Sequence, residues 1–128
     1  MIVGYRCAVC GARVAIDVPL PWRCPNVTPD DPYHVLHLVD DGAVPDVLDD
    51  PNPFVRYGPR LAWWAFSRSH GMSGDQCVAI TRGVADGFTV TPFERSAALS
   101  EAVSAQVWVK DETGNVAGSH KARHLVGI

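Results

Sequence analysis

Val107-Trp108-Val109-Lys110-Asp111-Glu112-Thr113-Gly114-Asn115-Val116-Ala117-Gly118-Ser119-His120-Lys121-Ala122-Arg123 is the stretch on which the reading of this chain turns. Val107–Lys110 has the composition of a short strand, Gly114-Asn115 marks a turn, and Gly118 leads into a helix over 119–128 that places Lys121 in its first turn. Backbone N–H groups there have no intrahelical acceptor and the macrodipole is positive, so an anion is favoured nearby. A neutral lysine amine attacks aldehydes, and an aldehyde with an anionic tail would suit such an end. Both lysines of the chain, Lys110 and Lys121, fall in this segment. A lysine in a helix's first turn is more often an ordinary solvated surface residue, so the segment by itself does not establish a reactive one.

Working outward, the preceding sequence alternates helices and short strands. Pro59 suits a first helical position, and Leu61, Trp63, Trp64, Ala65 and Phe66 give a broad apolar face that Gly71 ends. Ser73 with Gln76 forms a capping-box pattern, and Cys77, Ile80, Thr81 and Val84 then repeat at helical spacing up to Gly87. Cys77 on that stripe reads as a core residue. Residues 88–92 read as extended, and residues 96–105 as a weak helix or loop. The chain finishes on Leu125-Val126-Gly127-Ile128, an apolar ending that suggests an uncovered face around Leu125, Val126 and Ile128.

At 128 residues, with 47% apolar and 20% charged residues, the chain has the size and composition of a single globular domain. It has no apolar run of the roughly 18–20 residues a membrane span needs, and no signal-peptide pattern, which points to a cytoplasmic protein with no membrane partner. The net charge of −3 and the absence of a basic stripe argue against nucleic acid. The charge is uneven: residues 28–53 hold seven aspartates and no Lys or Arg, while the segments on either side each sum to +2. Nine of the ten prolines lie at or before Pro59. Three regions follow: a cysteine-bearing segment 1–27, an acidic, Pro-rich connection 28–53 with a short strand around Tyr33–Val39, and an α/β region 54–128.

Cys7-Ala8-Val9-Cys10-Gly11 has the spacing of a zinc knuckle, in which two thiolates three residues apart face one metal and the glycine permits the tight turn. Cys24-Pro25 follows at the spacing of a zinc ribbon, but the fourth ligand expected at position 27 is Val27. His34 or His37 could complete a Cys3His set for structural zinc. The alternative is a metal-free ribbon folded around Tyr5 and Trp22.

Val109-Lys110-Asp111-Glu112 followed by Gly118-Ser119-His120-Lys121-Ala122-Arg123 resembles the cofactor-lysine signature, V-K-x-E then G-S-[FH]-K-x-R, of the fold-type II pyridoxal-phosphate enzymes. That family includes threonine synthase, threonine and serine dehydratases, cysteine synthase and the tryptophan synthase β subunit. Asn52-Pro53-Phe54-Val55-Arg56-Tyr57 resembles the N-P-L-x-R-Y lead-in of threonine synthase-like chains, and Thr91-Pro92-Phe93 their T-P-L segment. An N-terminal Cys-x-x-Cys-Gly with a later Cys-Pro is a common decoration in such chains.

The resemblance implies an α/β fold that is an incomplete fold-type II domain, a partial parallel sheet with flanking helices, behind a zinc-ribbon-like segment with half its second knuckle missing. In that sheet the neighbours of Val107–Lys110 would come from sequence beyond this chain. Lys121 would form the Schiff base with pyridoxal 5'-phosphate and move the Cα proton of an amino-acid substrate toward elimination or replacement, with Ser119 and His120 beside the cofactor. His120 stands where tryptophan synthase β has His and the dehydratases have Phe, which leaves a tryptophan synthase β-like replacement enzyme as an alternative. A non-catalytic zinc-ribbon binding module is another. Lys110, Glu112 and Arg123 would be structural pairs around the lysine helix, and Asn115 a turn residue. Family members are more than twice as long, so the chain reads as the front portion of an enzyme, inactive alone. Its partner would be a missing C-terminal part or another chain, with a homodimer when complete.

Overall fold

The computed structural model of the protein describes residues 1–43 and 47–126. The first unit is a three-stranded antiparallel sheet in the order β2-β1-β3, built from β1 (Ile2–Cys7), β2 (Arg13–Ala15) and β3 (Leu36–Asp40). Tyr5 pairs with Val14 on one side and Leu38 on the other. Gly4 is required where the strands meet: at φ +155, a Cβ there would lie 2.5 Å from the Val14 carbonyl oxygen. β3 lies in the region read as a connection, so the sheet crosses the boundary placed at residue 27. The reason is that β1 has two edges and β2 covers only one.

Helices follow. Asn52 caps α1 (Pro53–Arg56) by accepting the Phe54 N–H at 2.9 Å, and Pro53 sits at N1. A 3-10 turn, Gly58–Arg60, leads to α2 (Ala62–Ser69), and the Ser73–Gln76 capping box starts α3 (Gly74–Val84). Among the described residues the apolar core is small: Val55, Trp64, Ala65, Cys77 and Ala85 between these helices, with Cys7 and Cys24 in the first unit. Cys77 is fully buried, and its thiol is pushed up by that burial. The rest of the expected α3 stripe is less covered. Thr81 is buried, but Ile80 and Val84 remain exposed beside Trp63, Leu125 and Val126.

The last part corrects the expectation of a parallel sheet. β5 (Trp108–Lys110) pairs antiparallel with β4 (Phe93–Arg95), with Phe93 opposite Lys110, and the described residues hold no parallel pair. The link between them closes on itself around α4 (Ala97–Val103). Ser96 N–H donates to the Val107 carbonyl at 3.0 Å, and the Ser100 hydroxyl accepts the Val107 N–H at 3.0 Å. A crossover to a parallel neighbour needs a dozen or more residues that leave the strand edge; this link stays at it. The lysine helix is shorter than expected, α5 (Lys121–Leu125), and Ile128 of the uncovered face lies outside the described residues. Trp22 is 69% exposed and Tyr5 half-buried, so Trp22 is not the core around which this segment folds.

The accessible surface is 8748 Å². A compact monomer of 13.9 kDa exposes about 6,700 Å² by the usual scaling. The excess is more than twice the roughly 800 Å² that one partner contributes to a standard interface. No helix among the described residues is long and apolar enough to cross a membrane.

Gly58 packs flat against the Trp64 ring, where an added Cβ would lie 2.7 Å from two ring carbons. Gly58→Ala is expected to displace Trp64 and destabilise the helical layer by about 1–3 kcal/mol, read as a lower urea midpoint. An unchanged midpoint would show that the ring is not held there.

Candidate functional site

Two clusters concentrate the chemistry. At the first, β1 delivers Cys7 into a tight turn: its N–H donates to the Ala12 carbonyl at 2.8 Å, and Gly11, at φ +74, returns an N–H to the Cys7 carbonyl at 3.0 Å. The Val9 N–H faces Cys7 Sγ at 3.4 Å. The second knuckle repeats the N–H contact to sulfur two residues on, without a second cysteine. Val27 N–H donates to the Cys24 carbonyl at 3.2 Å, and Asn26 N–H faces Cys24 Sγ at 3.4 Å.

His34 stands in for the residue that Val27 is not. Its Nδ1 lies 3.3 Å from Cys7 Sγ, Cys10 Sγ lies 3.5 Å from Cys24 Sγ, and all four donor atoms fall within 4.8 Å of one another. Ligands at 2.0–2.3 Å from a tetrahedral zinc are separated by about 3.5–3.8 Å, so the cluster is near the size an ion requires. Cys7, Cys10, Cys24 and His34 are therefore a donor set that could bind a metal such as zinc. His37, the other candidate, lies opposite Arg6 in the sheet and outside the cluster.

Two residues that the spacing did not single out support these donors. Asp31 Oδ2 lies 3.0 Å from His34 Nε2, while the His34 side chain is only 2% exposed. Asn26 donates its side-chain N–H to Cys10 Sγ at 3.4 Å. The i,i+3 spacing of Asp31 and His34 is the one sequence signal that could have paired them. The protons in the cluster are unequally held. The Cys10 N–H and, after it, the Val9 N–H bring Cys7 down to about 6, while burial pushes Cys24 up to about 11. Cys10 is lowered, chiefly by the Ala12 N–H. Asp31, and then Cys7, raise His34 to about 9. A metal entering here displaces protons, so its affinity rises with pH.

The second cluster lies under the lysine segment, and Glu112 is its hub. One carboxylate oxygen accepts the Thr91 hydroxyl at 2.6 Å. The other accepts Asn115 Nδ2 at 2.8 Å and Arg123 Nε at 2.9 Å. Lys110 Nζ approaches the first oxygen at 3.7 Å and donates to the Thr91 carbonyl at 2.5 Å. Arg123 also reaches the Thr89 carbonyl at 2.7 Å. Asn115 does more than turn the chain, since its buried side chain also accepts the Val116 N–H at 2.9 Å and lies 3.4 Å from the Thr89 N–H. Thr91 enters through its hydroxyl, a role its place in a Thr-Pro pair did not reveal.

Ser119, His120 and Lys121 sit at the edge of this hub and take no part in it. Lys121 opens α5; its backbone N–H donates to Ser119 Oγ at 3.2 Å, and its exposed amine has no partner among the described residues. The His120 ring lies edge-on to His124 at 5.8 Å. Ahead of them Ala117 takes a left-handed φ of +56, which for a residue with a Cβ costs about 1 kcal/mol or more. The turn that presents Lys121 is thus held by the hub rather than by local preference.

Thr91 first, then Asn115 and Arg123, hold Glu112 at about 2, below the ordinary glutamate value of about 4.3. A carboxyl lowered in the folded state adds stability above the unfolded value, and this contribution is lost as pH falls from about 4.3 through about 2. The urea midpoint should therefore drop over that window, and Glu112→Gln should have a lower midpoint at pH 7 and a shallower drop. Equal slopes for the two proteins would mean that Glu112 does not carry the effect. No family model matches this chain, nor does any curated protein or solved structure, so what it does has to rest on the chemistry of these two clusters.

Proposed function

We propose that this chain is the lysine-bearing front portion of a fold-type II pyridoxal-phosphate enzyme, of the threonine synthase or threonine dehydratase kind, that acts on amino acids by elimination or replacement. A structural zinc ion on Cys7, Cys10, Cys24 and His34 belongs to the same proposal. The observation that carries it is the Glu112 hub: Thr91 of the Thr-Pro segment, Lys110 and Glu112 of the V-K-x-E segment and Arg123 of the lysine segment are far apart in sequence and meet at one carboxylate.

The residues fit part of what pyridoxal phosphate requires. Lys121 offers an exposed amine, with no partner among the described residues, for covalent attachment. A cradle of N–H groups for the phosphate is not found among the described residues, and the excess surface agrees with a need for further protein. The cofactor, when bound, supplies an electron sink for the pair released at the substrate Cα. Lys121 then has two tasks: to anchor the cofactor through Nζ, and, once freed, to move the proton at Cα. Glu112 and Arg123 hold α5, and Lys121 with it, against the β4–β5 ribbon.

Two measurements test the proposal. The product of the complete reading frame, reduced with borohydride and mapped by mass spectrometry, is expected to carry a pyridoxyl group on Lys121 that Lys121→Ala lacks. A product with no pyridoxyl group on any lysine overturns the enzyme reading. For the metal, one zinc per chain is expected, lost in Cys10→Ser. Asp31→Asn, which weakens the support of His34, should lower affinity about 10- to 100-fold in chelator competition. Protein that retains no zinc after refolding with it overturns the structural-zinc reading.

A further inference from the structure

Between α1 and the end of β5 lies a pocket of about 490 Å³, within the usual range of small-molecule sites. Arg56, Tyr57, Lys110 and Arg123 line it, with Pro51 and Pro53 as apolar wall. Three cations thus face one carboxylate, Glu112, in a protein whose overall charge is −3.

That carboxylate is already committed. Glu112 accepts from Thr91, Asn115 and Arg123, and Arg123 directs its Nη2 to the Thr89 carbonyl and the Thr91 hydroxyl. Asp50, whose carboxylate is also lowered by the charge of Arg56, accepts Arg82 at 2.6 Å and the Asn52 N–H at 2.8 Å. Arg56 donates only its Nε, to the Asp50 carbonyl at 3.0 Å; its terminal nitrogens have no partner among the described residues. The bond at Nε fixes the plane of the guanidinium and leaves its fork open. Lys110 contributes a second positive charge, and its bond to the Thr91 carbonyl uses one of three ammonium donors.

We propose that this pocket binds a small organic dianion, with Arg56 gripping one oxyanion group through its fork and Lys110 supplying the matching point charge. Tyr57 and the two prolines cover the ligand's carbon body. Phosphate monoesters and dicarboxylates share this chemistry. The site stands apart from the cofactor chemistry proposed for Lys121, which takes no part in it.

Calorimetric titration of cofactor-free protein with methyl phosphate, succinate and acetate tests it, so that failure here leaves the lysine reading untouched. One saturable site is expected for methyl phosphate or succinate, and whichever binds more tightly names the class. Acetate should bind at least about tenfold more weakly, and added salt should weaken the dianion. Arg56→Gln and Lys110→Gln should each cost about tenfold in affinity, and Arg56→Lys should fall between wild type and Arg56→Gln. Arg13→Gln, on the distant β2, should change nothing. Because the first two variants also lose a bond to a backbone carbonyl, each is compared only where its circular dichroism matches wild type, and Arg56→Lys decides if they do not. No saturable binding, acetate binding as tightly as the dianions, or affinities unmoved by the Arg56 and Lys110 variants would overturn the proposal.

Discussion

Shortage of buried apolar surface is the constraint on which the rest of this structure depends. Val55, Trp64, Ala65, Cys77 and Ala85 form the helical core, and little else apolar is buried among the described residues. Burial of such side chains contributes about 1.5–3 kcal/mol each for the larger ones, while ordering each residue costs about 1–2 kcal/mol. The chain therefore relies on polar clamps at intervals. Asp50 joins α1 to α3 through Arg82, Glu112 joins the β4–β5 ribbon to α5, and the cysteine cluster closes the first sheet. A structural zinc, on the proposal above, would add on the order of 10 kcal/mol where the sheet has almost no core.

The acidic region shows how far those clamps extend. Its seven aspartates read as the charge of an acidic connection, yet several have specific partners. Asp31 meets His34, Asp41 pairs with the Met1 ammonium group, Asp40 accepts the Gly42 N–H at 2.8 Å, and Asp50 meets Arg82. Asp41 and Asp50 are both lowered, by the chain terminus and by Arg82 respectively. Composition gives the sign of a segment's charge; it does not say which charges are used, because that depends on partners up to 40 residues away.

What was legible in the sequence were features set by local physics. The Ser73 capping box, the turn begun at Pro59, the Cys7–Cys10 turn and the strand ending at Lys110 all depend on neighbours within a few residues. What was not legible depended on contacts across the chain. Periodicity could not choose between His34 and His37, since the choice rests on how β3 approaches the knuckle, where the Ala8 N–H donates to the Val35 carbonyl at 2.9 Å. Nor could it show that β4 pairs antiparallel with β5, because that register depends on how the 96–107 link closes. Asn115 looked like a turn residue for the same reason: its partners Thr89 and Glu112 come together only in the fold.

The two clusters carry different demands, and this bears on how function is divided along the chain. On the zinc proposal the Cys3His set would fill a tetrahedral ion with four protein donors: its histidine side chain is buried and its sulfurs are met by N–H groups, though Cys10 is exposed. Sites of that kind hold structure. The Glu112 hub is satisfied in the same way, yet it borders an exposed lysine on one side and an electropositive pocket on the other. A carboxylate held at about 2 by Thr91, Asn115 and Arg123 stays ionised at neutral pH, so it acts by fixing the positions of its neighbours. Glu112 is the positioning residue of this end of the chain, and on the two proposals above Lys121 on one side and Arg56 with Lys110 on the other would be the groups that meet ligands.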